Sequence, residues 1–287
     1  MSPGVPFPPR EVPPSAWPFD ALVLEDGDER PFAGGDLDPG TLIAAYRAGF
    51  FPMGLGDEGR PPLGWWSPDP RGILPLDGLH VSRSLRRSVR RFEITVDTAF
   101  EAVLEGCADP ARDGRWITPE IAAAYGRLHR LGWAHSVEVW DGEELAGGLY
   151  GVAVAGLFAG ESMFHHVTDA SKAALVGLDR LVGADGDPRR IIDVQWRTPH
   201  LGTLGVVEVH RREYLTRLEH ALQAPALDLG ALVERTVAEF GGVDVVVNNA
   251  ANALAQPLGQ MTPEAWAEYT AEAEQAAQSA MEARDRK

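Results

Sequence analysis

The fold is decided by the stretch His135–Met163, which reads HSVEVWDGEELAGGLYGVAVAGLFAGESM. Its first segment, His135–Trp140, alternates polar and apolar side chains like a strand with one buried face. The dipeptide Asp141-Gly142 favours a tight β-hairpin turn, so the apolar run Leu145–Val154 supplies the returning strand. Gly156–Met163 follows as a further strand. The stretch therefore predicts three consecutive antiparallel strands.

The sequence after this stretch predicts a helix, a strand and a second helix. The first helix begins at Asp169 and extends to about Leu181. The apolar segment Arg190–Val194 is typical of a buried strand, and Arg211–Leu222 has the pattern of an amphipathic helix. Added to the three antiparallel strands, these elements predict an α+β layer.

The sequence before this stretch predicts a helix over Thr41–Ala48, with Asp38 placed to cap it and Pro39 at its first position. The aromatic segments Phe50–Met53 and Trp65–Arg71 show neither a helical nor a strand period, and we expect them to be loops. Three further elements are predicted, namely a strand at Phe92–Val96 and helices at Ala99–Cys107 and Thr118–Leu131.

The composition is that of an ordinary globular protein, with 45% hydrophobic and 24% charged residues among 287. A net charge of -16 argues against general coating of nucleic acid, although it leaves room for a local basic patch. Cys107 is the only cysteine, so no intramolecular disulfide forms and no oxidising compartment is implied. Prolines interrupt the start of the chain and no signal peptide is expected, which predicts a cytoplasmic protein.

Two short segments predict the active site, Gly160–Phe164 and Ile191–Gln195. Each places carboxylate or amide groups beside large apolar side chains, which suits a pocket that grips an apolar substrate and moves a proton. Either segment alone is more typical of an ordinary strand. Their combination is the active-site hypothesis.

A run of arginines predicts contact with phosphates. Between His80 and Arg91 the chain holds five arginines and no acid. On a helix most of them share one face, which is either a solvated surface or a binding surface for an anionic partner. The lack of an interleaved acid favours the second reading. We call these residues the arginine stripe; they are Arg83, Arg86, Arg87, Arg90 and Arg91.

The sequence changes in character after Ala224. Residues 226–287 hold ten acidic and four basic side chains and are rich in Ala, Glu and Gln. Within them, Phe240–Ala251 resembles an internal segment of the short-chain dehydrogenases. The glycine-rich phosphate loop and the Tyr-x-x-x-Lys pair of that family are missing, so no dinucleotide is expected to bind. We interpret residues 225–287 as an acidic, non-functional fused tail.

Seven segments, in unbroken order over about residues 30–222, closely resemble the leucyl/phenylalanyl-tRNA-protein transferase family. They are Gly34–Leu37, Trp65–Arg71, Glu105–Cys107, Trp116–Thr118, His135–Trp140, Gly160–Phe164 and Asp193–Gln195. The family moves leucine or phenylalanine, and methionine less readily, from tRNA onto proteins that begin with Arg or Lys, which marks them for degradation. Its catalytic domain resembles the GNAT-type acetyltransferase fold.

The resemblance implies roles for three candidate catalytic residues. Asp193 would hold or deprotonate the attacking amine, and Gln195 would donate to the ester carbonyl or shape its surroundings. Glu161 would orient that pair and face the basic side chain of the acceptor. Alternatively, Asp193 only positions the amine while the departing tRNA oxygen takes the proton.

The resemblance also implies substrate-binding residues. The pocket for the aminoacyl side chain would consist of Leu149, Phe158, Ser162, Met163, Phe164, Leu175 and Ile192. Tyr46, Trp116 and Tyr125 would surround the terminal adenosine and the ester. Met53 stands where another member of the family has tryptophan. The softer methionine would relax recognition of the aminoacyl side chain or the adenosine. The arginine stripe would meet acceptor-stem phosphates, contacts that position an RNA without reading its sequence.

The predicted organisation is an irregular proline-rich arm (1–33), a small N-terminal α/β domain (34–96), an acetyltransferase-like catalytic domain (97–224) and the tail (225–287). We expect a monomer without cofactor or metal. An acyl-CoA-dependent acetyltransferase of the same fold and a dehydrogenase driven by the tail were the alternatives. The sequence His165–Ala170 lacks the glycine-rich loop that acetyl-CoA binding uses, and the tail lacks a dehydrogenase's machinery.

Overall fold

The computed structural model describes residues 5–22, 24–112 and 114–230. It contains ten strands and seven α-helices in these ranges. The strands are β1 (Phe32–Ala33), β2 (Phe51–Gly54), β3 (Leu63–Trp66), β4 (Arg71–Leu74), β5 (Glu93–Val96), β6 (Ala134–Asp141), β7 (Glu144–Val154), β8 (Leu157–His165), β9 (Ile191–Gln195) and β10 (Val207–Val209). The helices are α1 (Pro39–Arg47), α2 (Arg83–Val89), α3 (Phe100–Cys107), α4 (Pro119–Arg130), α5 (Ala170–Gly183), α6 (Pro199–Thr203) and α7 (Arg211–Leu222). Short 3-10 turns lie at Phe19–Ala21 and Asp57–Gly59.

A mixed seven-stranded sheet in the order β10-β4-β9-β8-β7-β6-β5 forms the centre of the protein. Neighbouring strands are antiparallel except for β8 and β9, which are parallel and joined through α5. A smaller antiparallel sheet has the order β1-β3-β2. The three consecutive antiparallel strands predicted from the sequence are confirmed as β6, β7 and β8, and so are the helix and strand that follow them.

Helices cover both faces of the large sheet. On one face α2 and α5 pack their apolar side chains into a core with Ile94, Val137 and Phe158. On the other face α1, α3, α4 and α7 contribute to a second core with Tyr150 and Ala159. No helix within the described ranges is long and apolar enough to cross a membrane.

Local sequence signals explain where several helices begin. The Thr118 hydroxyl accepts a hydrogen bond from the Ile121 amide at 3.4 Å, and Pro119 occupies the first position of α4. Helix α1 begins in the same way with Pro39 after Asp38. The Asp38 carboxylate, however, makes no capping hydrogen bond, so that part of the prediction is wrong.

The aromatic segments predicted to be loops are partly strands. Phe51–Gly54 and Leu63–Trp66 pair as β2 and β3, and Arg71 begins β4. Their side chains are largely buried on both faces, and Pro52 and Gly64 interrupt the pattern. These segments therefore show no alternation of polar and apolar residues, the pattern that is typical of a strand with one face in water.

The central sheet crosses the predicted domain boundaries. Strands β4 and β5, from the predicted N-terminal unit 34–96, pair with strands of the unit 97–224. At the other boundary, Leu227 and Leu229 are buried in the core beside α5, and the Leu227 amide donates to the Ala155 carbonyl at 3.1 Å. The first residues of the predicted tail thus belong to the packed structure. The dehydrogenase-like segment 240–251 lies outside the described residues.

Candidate active site

The two predicted site segments meet where β8 and β9 separate. Residue pairing between these parallel strands ends at Ala159 and Asp193, whereas β8 continues to His165 and β9 to Gln195. A crevice opens between the carboxyl ends of the two strands, a common position for ligand binding in sheets with parallel strands. The structure thereby brings Glu161, Asp193 and Gln195 together, as the site hypothesis required.

A β-bulge aims Glu161 into this crevice. Gly160 pairs with Gly151 of β7 and Ser162 pairs with Tyr150, which leaves Glu161 without a partner across the ladder. A bulge adds one residue to a strand and redirects a side chain, and bulges are frequent beside active sites.

Asp193 is fully buried, and neighbouring donors bind both oxygens of its carboxylate. The Arg71 guanidinium donates to both of its carboxylate oxygens, at 2.9 Å from Nε and 2.6 Å from Nη2. The Tyr214 hydroxyl donates to Oδ2 at 2.9 Å, and the backbone nitrogen of Gln195 donates to Oδ1 at 3.0 Å. A carboxylate held by four donors in this way is a fixed anchor for β4, β9 and α7.

Glu161 lies in a different environment. Burial raises its pKa to about 7, an effect that hydrogen bonding to Tyr46 and Tyr125 partly opposes. The Tyr125 hydroxyl donates to Glu161 Oε2 at 2.9 Å, and the Tyr46 hydroxyl lies 2.5 Å from that of Tyr125. A carboxyl group with a pKa near 7 can both accept and release a proton at physiological pH.

Gln195 connects the two carboxylates. Its side-chain nitrogen lies 3.4 Å from Glu161 Oε1, while its backbone nitrogen is bound to Asp193. Its φ of 58° places it in the left-handed region, which is uncommon for a residue other than glycine. Backbone strain of this kind persists where surrounding contacts fix it, often at functional sites.

An apolar cavity of about 110 Å³ adjoins Glu161 and Gln195. It is lined by the predicted pocket residues Leu149, Ser162, Met163, Leu175 and Ile192 and, in addition, by Leu178, Val194 and Leu201. Two predicted pocket residues do not line it. Phe158 is fully buried in the core that α2 and α5 form with the sheet, whereas Phe164 belongs to the core on the opposite face of the sheet.

The residues predicted to surround the adenosine fall into two groups. Tyr46 and Tyr125 are fully buried and their hydroxyls point toward Glu161. Trp116 and Met53 are only partly buried and therefore available to a ligand. The Met53 carbonyl accepts a hydrogen bond from the Trp66 indole at 3.1 Å.

The arginine stripe lies on the surface. All five of its side chains are exposed, while Leu85 and Val89 of the same helix are buried. Helix α2 ends at Val89, so Arg90 and Arg91 extend just beyond it. Arg91 lies 3.9 Å from the exposed Asp141 carboxylate.

Three residues that sequence reasoning did not assign belong to the site. Arg71 and Tyr214 hold Asp193, and Trp196 follows Gln195 with 37% of its surface exposed. The Trp196 ring contacts Phe51 with centroids 5.0 Å apart. Arg71 already ended one of the quoted motifs, but its carboxylate partner lies 122 residues further along the chain, a distance that no local pattern reveals.

A cavity for an apolar group beside a carboxyl group with a pKa of about 7 can hold an acyl group next to a group that exchanges protons. Comparison with known proteins gives the family. A family model described as leucyl/phenylalanyl-tRNA protein transferase matches residues 73–219, and the model of that family's N-terminal domain matches residues 35–69.

Curated relatives agree with the family models. A leucyl/phenylalanyl-tRNA-protein transferase of Nitratidesulfovibrio vulgaris is 50% identical over 220 residues, covering 73% of this chain and 92% of the relative. Proteins of the same name from an Anaeromyxobacter species and from Pseudoalteromonas atlantica are 49% and 48% identical, over 76% and 73% of this chain and 91% and 89% of the relatives. The chain therefore belongs to the leucyl/phenylalanyl-tRNA-protein transferase family, and it is an aminoacyltransferase.

Proposed function

We propose that this protein transfers leucine or phenylalanine, and methionine less readily, from aminoacyl-tRNA to the α-amine of proteins that begin with Arg or Lys. The transfer marks those proteins for degradation. The observation that carries the proposal is the apolar cavity of about 110 Å³, which opens directly beside Glu161 and Gln195. The cavity takes the aminoacyl side chain and thereby places the ester next to both polar groups.

The reaction is the aminolysis of an ester. The protein's α-amine attacks the aminoacyl carbonyl, a C–N bond forms, and the bond between that carbonyl and the tRNA ribose oxygen breaks. The amine loses a proton, and the departing ribose oxygen gains one. Holding both reactants in one crevice removes much of the entropic barrier to this step.

Glu161 is the group we assign to proton transfer. Its pKa of about 7 allows it to receive the proton of the amine and to return it to the ribose oxygen. We assign Asp193 to holding Gln195 in place and not to binding the amine, because Arg71, Tyr214 and the Gln195 backbone already occupy its oxygens. The Gln195 amide is free to turn toward the carbonyl, since its bond to Glu161 is long at 3.4 Å.

Electrostatics support the choice of both substrates. The ionised form of Glu161 attracts an acceptor whose first residue is Arg or Lys. The exposed arginine stripe offers the opposite charge to the acceptor-stem phosphates. The parallel strands β8 and β9, which separate beside α5, support an acetyltransferase-like catalytic unit. We place the reaction in the cytoplasm, with the protein acting as a monomer.

The test is a transfer assay with leucyl-tRNA and a short peptide that begins with arginine. We expect the peptide to gain the mass of one leucyl residue, as measured by mass spectrometry. The same peptide with an acetylated N-terminus is the control and should remain unmodified, because it lacks the attacking amine. Equal modification of a peptide that begins with glutamate would contradict the proposed acceptor specificity.

A further inference from the structure

Three basic side chains belong to residues that lie close in the chain to the cavity lining, on the side of α5. Lys172 lies three positions before Leu175, and His200 directly precedes Leu201; both leucines line the cavity. His165 ends β8, two residues after Met163. Both histidines are exposed, and 31% of the Lys172 side chain is accessible. We call His165, Lys172 and His200 the basic rim.

The members of the basic rim are close enough to affect one another. Burial lowers the pKa of His200, and the positive charges of Lys172 and His165 lower it further. Such mutual repulsion is relieved when an anion binds between the groups. The His165 ring lies 3.4 Å from the buried Ser171 hydroxyl, which places this ring at the start of α5.

The basic rim is continuous with the arginine stripe. Asp169 accepts hydrogen bonds from Lys172 at 2.7 Å and from Ser88 at 2.9 Å, and Ser88 lies within α2 between the arginines. This carboxylate ties α2 to the start of α5. It balances one positive charge of the surface, while the guanidinium groups of Arg83, Arg87 and Arg90 remain exposed.

This surface leads from the arginine stripe to the cavity. Resting on the function proposed above, we infer that the basic rim binds phosphates of the single-stranded 3' end of aminoacyl-tRNA. The acceptor stem lies on the arginine stripe, the 3' strand crosses the start of α5, and the aminoacyl group enters the cavity. Lysine binds phosphate as a compact point charge, and histidine donates a ring N–H. The acceptor peptide, with its cationic first residue, approaches from another side.

The experiment compares two donors with the same ester, leucyl-tRNA and leucyl-adenosine, the second of which carries no phosphate. For Lys172→Met and His200→Gln we expect KM to rise several-fold with leucyl-tRNA and to stay unchanged with leucyl-adenosine. Lys172→Arg, which retains the charge, should keep most of the wild-type affinity. Arg217→Met is the matched control: its guanidinium, on α7, is paired with Glu213 at 2.7 Å, and we expect no change with either donor.

Measuring the binding of uncharged tRNA tests this inference independently of the transfer reaction. Loss of the Lys172 charge in Lys172→Met should reduce the slope of log affinity against log salt by roughly 0.7, the value for single strands. His200→Gln should weaken binding with little change in slope, because the lowered pKa of His200 favours the neutral ring. Equal losses with both donors would overturn the inference, because the residues would then shape the cavity. Unchanged tRNA binding in both variants would overturn it as well.

A wild-type protein that binds tRNA through the rim but transfers nothing would refute the proposed function alone. If Lys172→Met does not fold, His200→Gln decides.

Discussion

The two carboxylates of the crevice, the fully buried Asp193 and the partly buried Glu161, differ because their neighbours differ. Asp193 is neutralised by a guanidinium that donates to both of its oxygens, so it has no free position for an incoming proton. Glu161 is surrounded by hydroxyl and amide groups, and burial raises its pKa to about 7. Two carboxylates in such different environments can serve different roles in one reaction.

Glu161→Gln tests this division at the level of one residue. In the wild type, kcat/KM for transfer should rise with pH through about 7, as Glu161 loses its proton and becomes a base. In the variant we expect transfer to fall about 10²-fold, and that inflection should disappear. Tyr125→Phe, which removes a hydrogen bond that lowers the pKa of Glu161, should move the inflection to higher pH. An unchanged pH profile in Glu161→Gln would assign the proton to another group.

The same titration can be followed without substrate. The folded protein raises the pKa of Glu161 from 4.5 to about 7, so the ionised side chain is disfavoured in the fold. The loss of folding stability caused by ionising Glu161 is absent below pH 4.5 and grows as pH rises toward 7. The thermal stability of Glu161→Gln relative to wild type should therefore increase across this window and then level off.

Replacing Asp193 should affect stability as well as activity. Removing one partner of a buried ion pair leaves an unpaired charge and typically costs about 3 to 5 kcal/mol. We therefore expect Asp193→Asn to unfold at lower denaturant concentration than wild type, with a large loss of transfer. Adding Arg71→Met should restore part of the stability and none of the activity. A fully stable Asp193→Asn protein would show that the pair with Arg71 contributes little.

At the scale of elements, predictability follows local signals and not burial alone. Strand β6 is buried on both faces over most of its length, yet the sequence predicts its hairpin because Asp141-Gly142 marks the turn. Strands β2 and β3 are not visible in the sequence, since Pro52 and Gly64 interrupt the pattern. The bulge at Glu161 was equally hidden, because it is defined by pairing with β7.

We expect the cavity between β8, β9 and α5 to set the choice of aminoacyl group. Met163→Ala should enlarge it and raise the use of phenylalanyl-tRNA relative to leucyl-tRNA, since one methylene in such a pocket is worth about 1 to 3 kcal/mol. The measurement is the ratio of the two kcat/KM values. Leu215→Ala, at an exposed position on α7, is the control and should leave the ratio unchanged. Valyl-tRNA used as well as leucyl-tRNA by the wild type would contradict this assignment.

For the whole molecule, the site depends on contacts between distant parts of the chain. Arg71 and Asp193 are separated by 122 residues, and Arg71 also donates to the Gly49 carbonyl at 3.0 Å. Resemblance to a family singled out Glu161, Asp193 and Gln195, and the structure places them near one another. It did not provide the partners of Asp193 or the additional cavity residues, because these are fixed by packing of α5, α6 and α7 around the crevice.

The change in composition after Ala224 does not coincide with the end of the packed structure, and this gives a prediction for the whole chain. Leu227 and Leu229 are buried at 3% and 1% exposure, and the Pro225 carbonyl accepts a hydrogen bond from Arg190 at 2.5 Å. Burying a leucine side chain stabilises by about 1.5 to 3 kcal/mol. A chain ended after residue 224 should therefore have a lower Tm than the full chain, whereas one ended after residue 230 should match it in Tm and in transfer.

Leu227→Ala in the full chain provides the matched control, with an expected loss of about 2 to 5 kcal/mol for a buried leucine. If the variant and the shorter truncation are destabilised while the longer truncation is not, the function resides in residues 1–230. A longer truncation that is insoluble or inactive would show that residues 231–287 contribute to the enzyme. That result would refute our interpretation of this segment as a fused, non-functional tail.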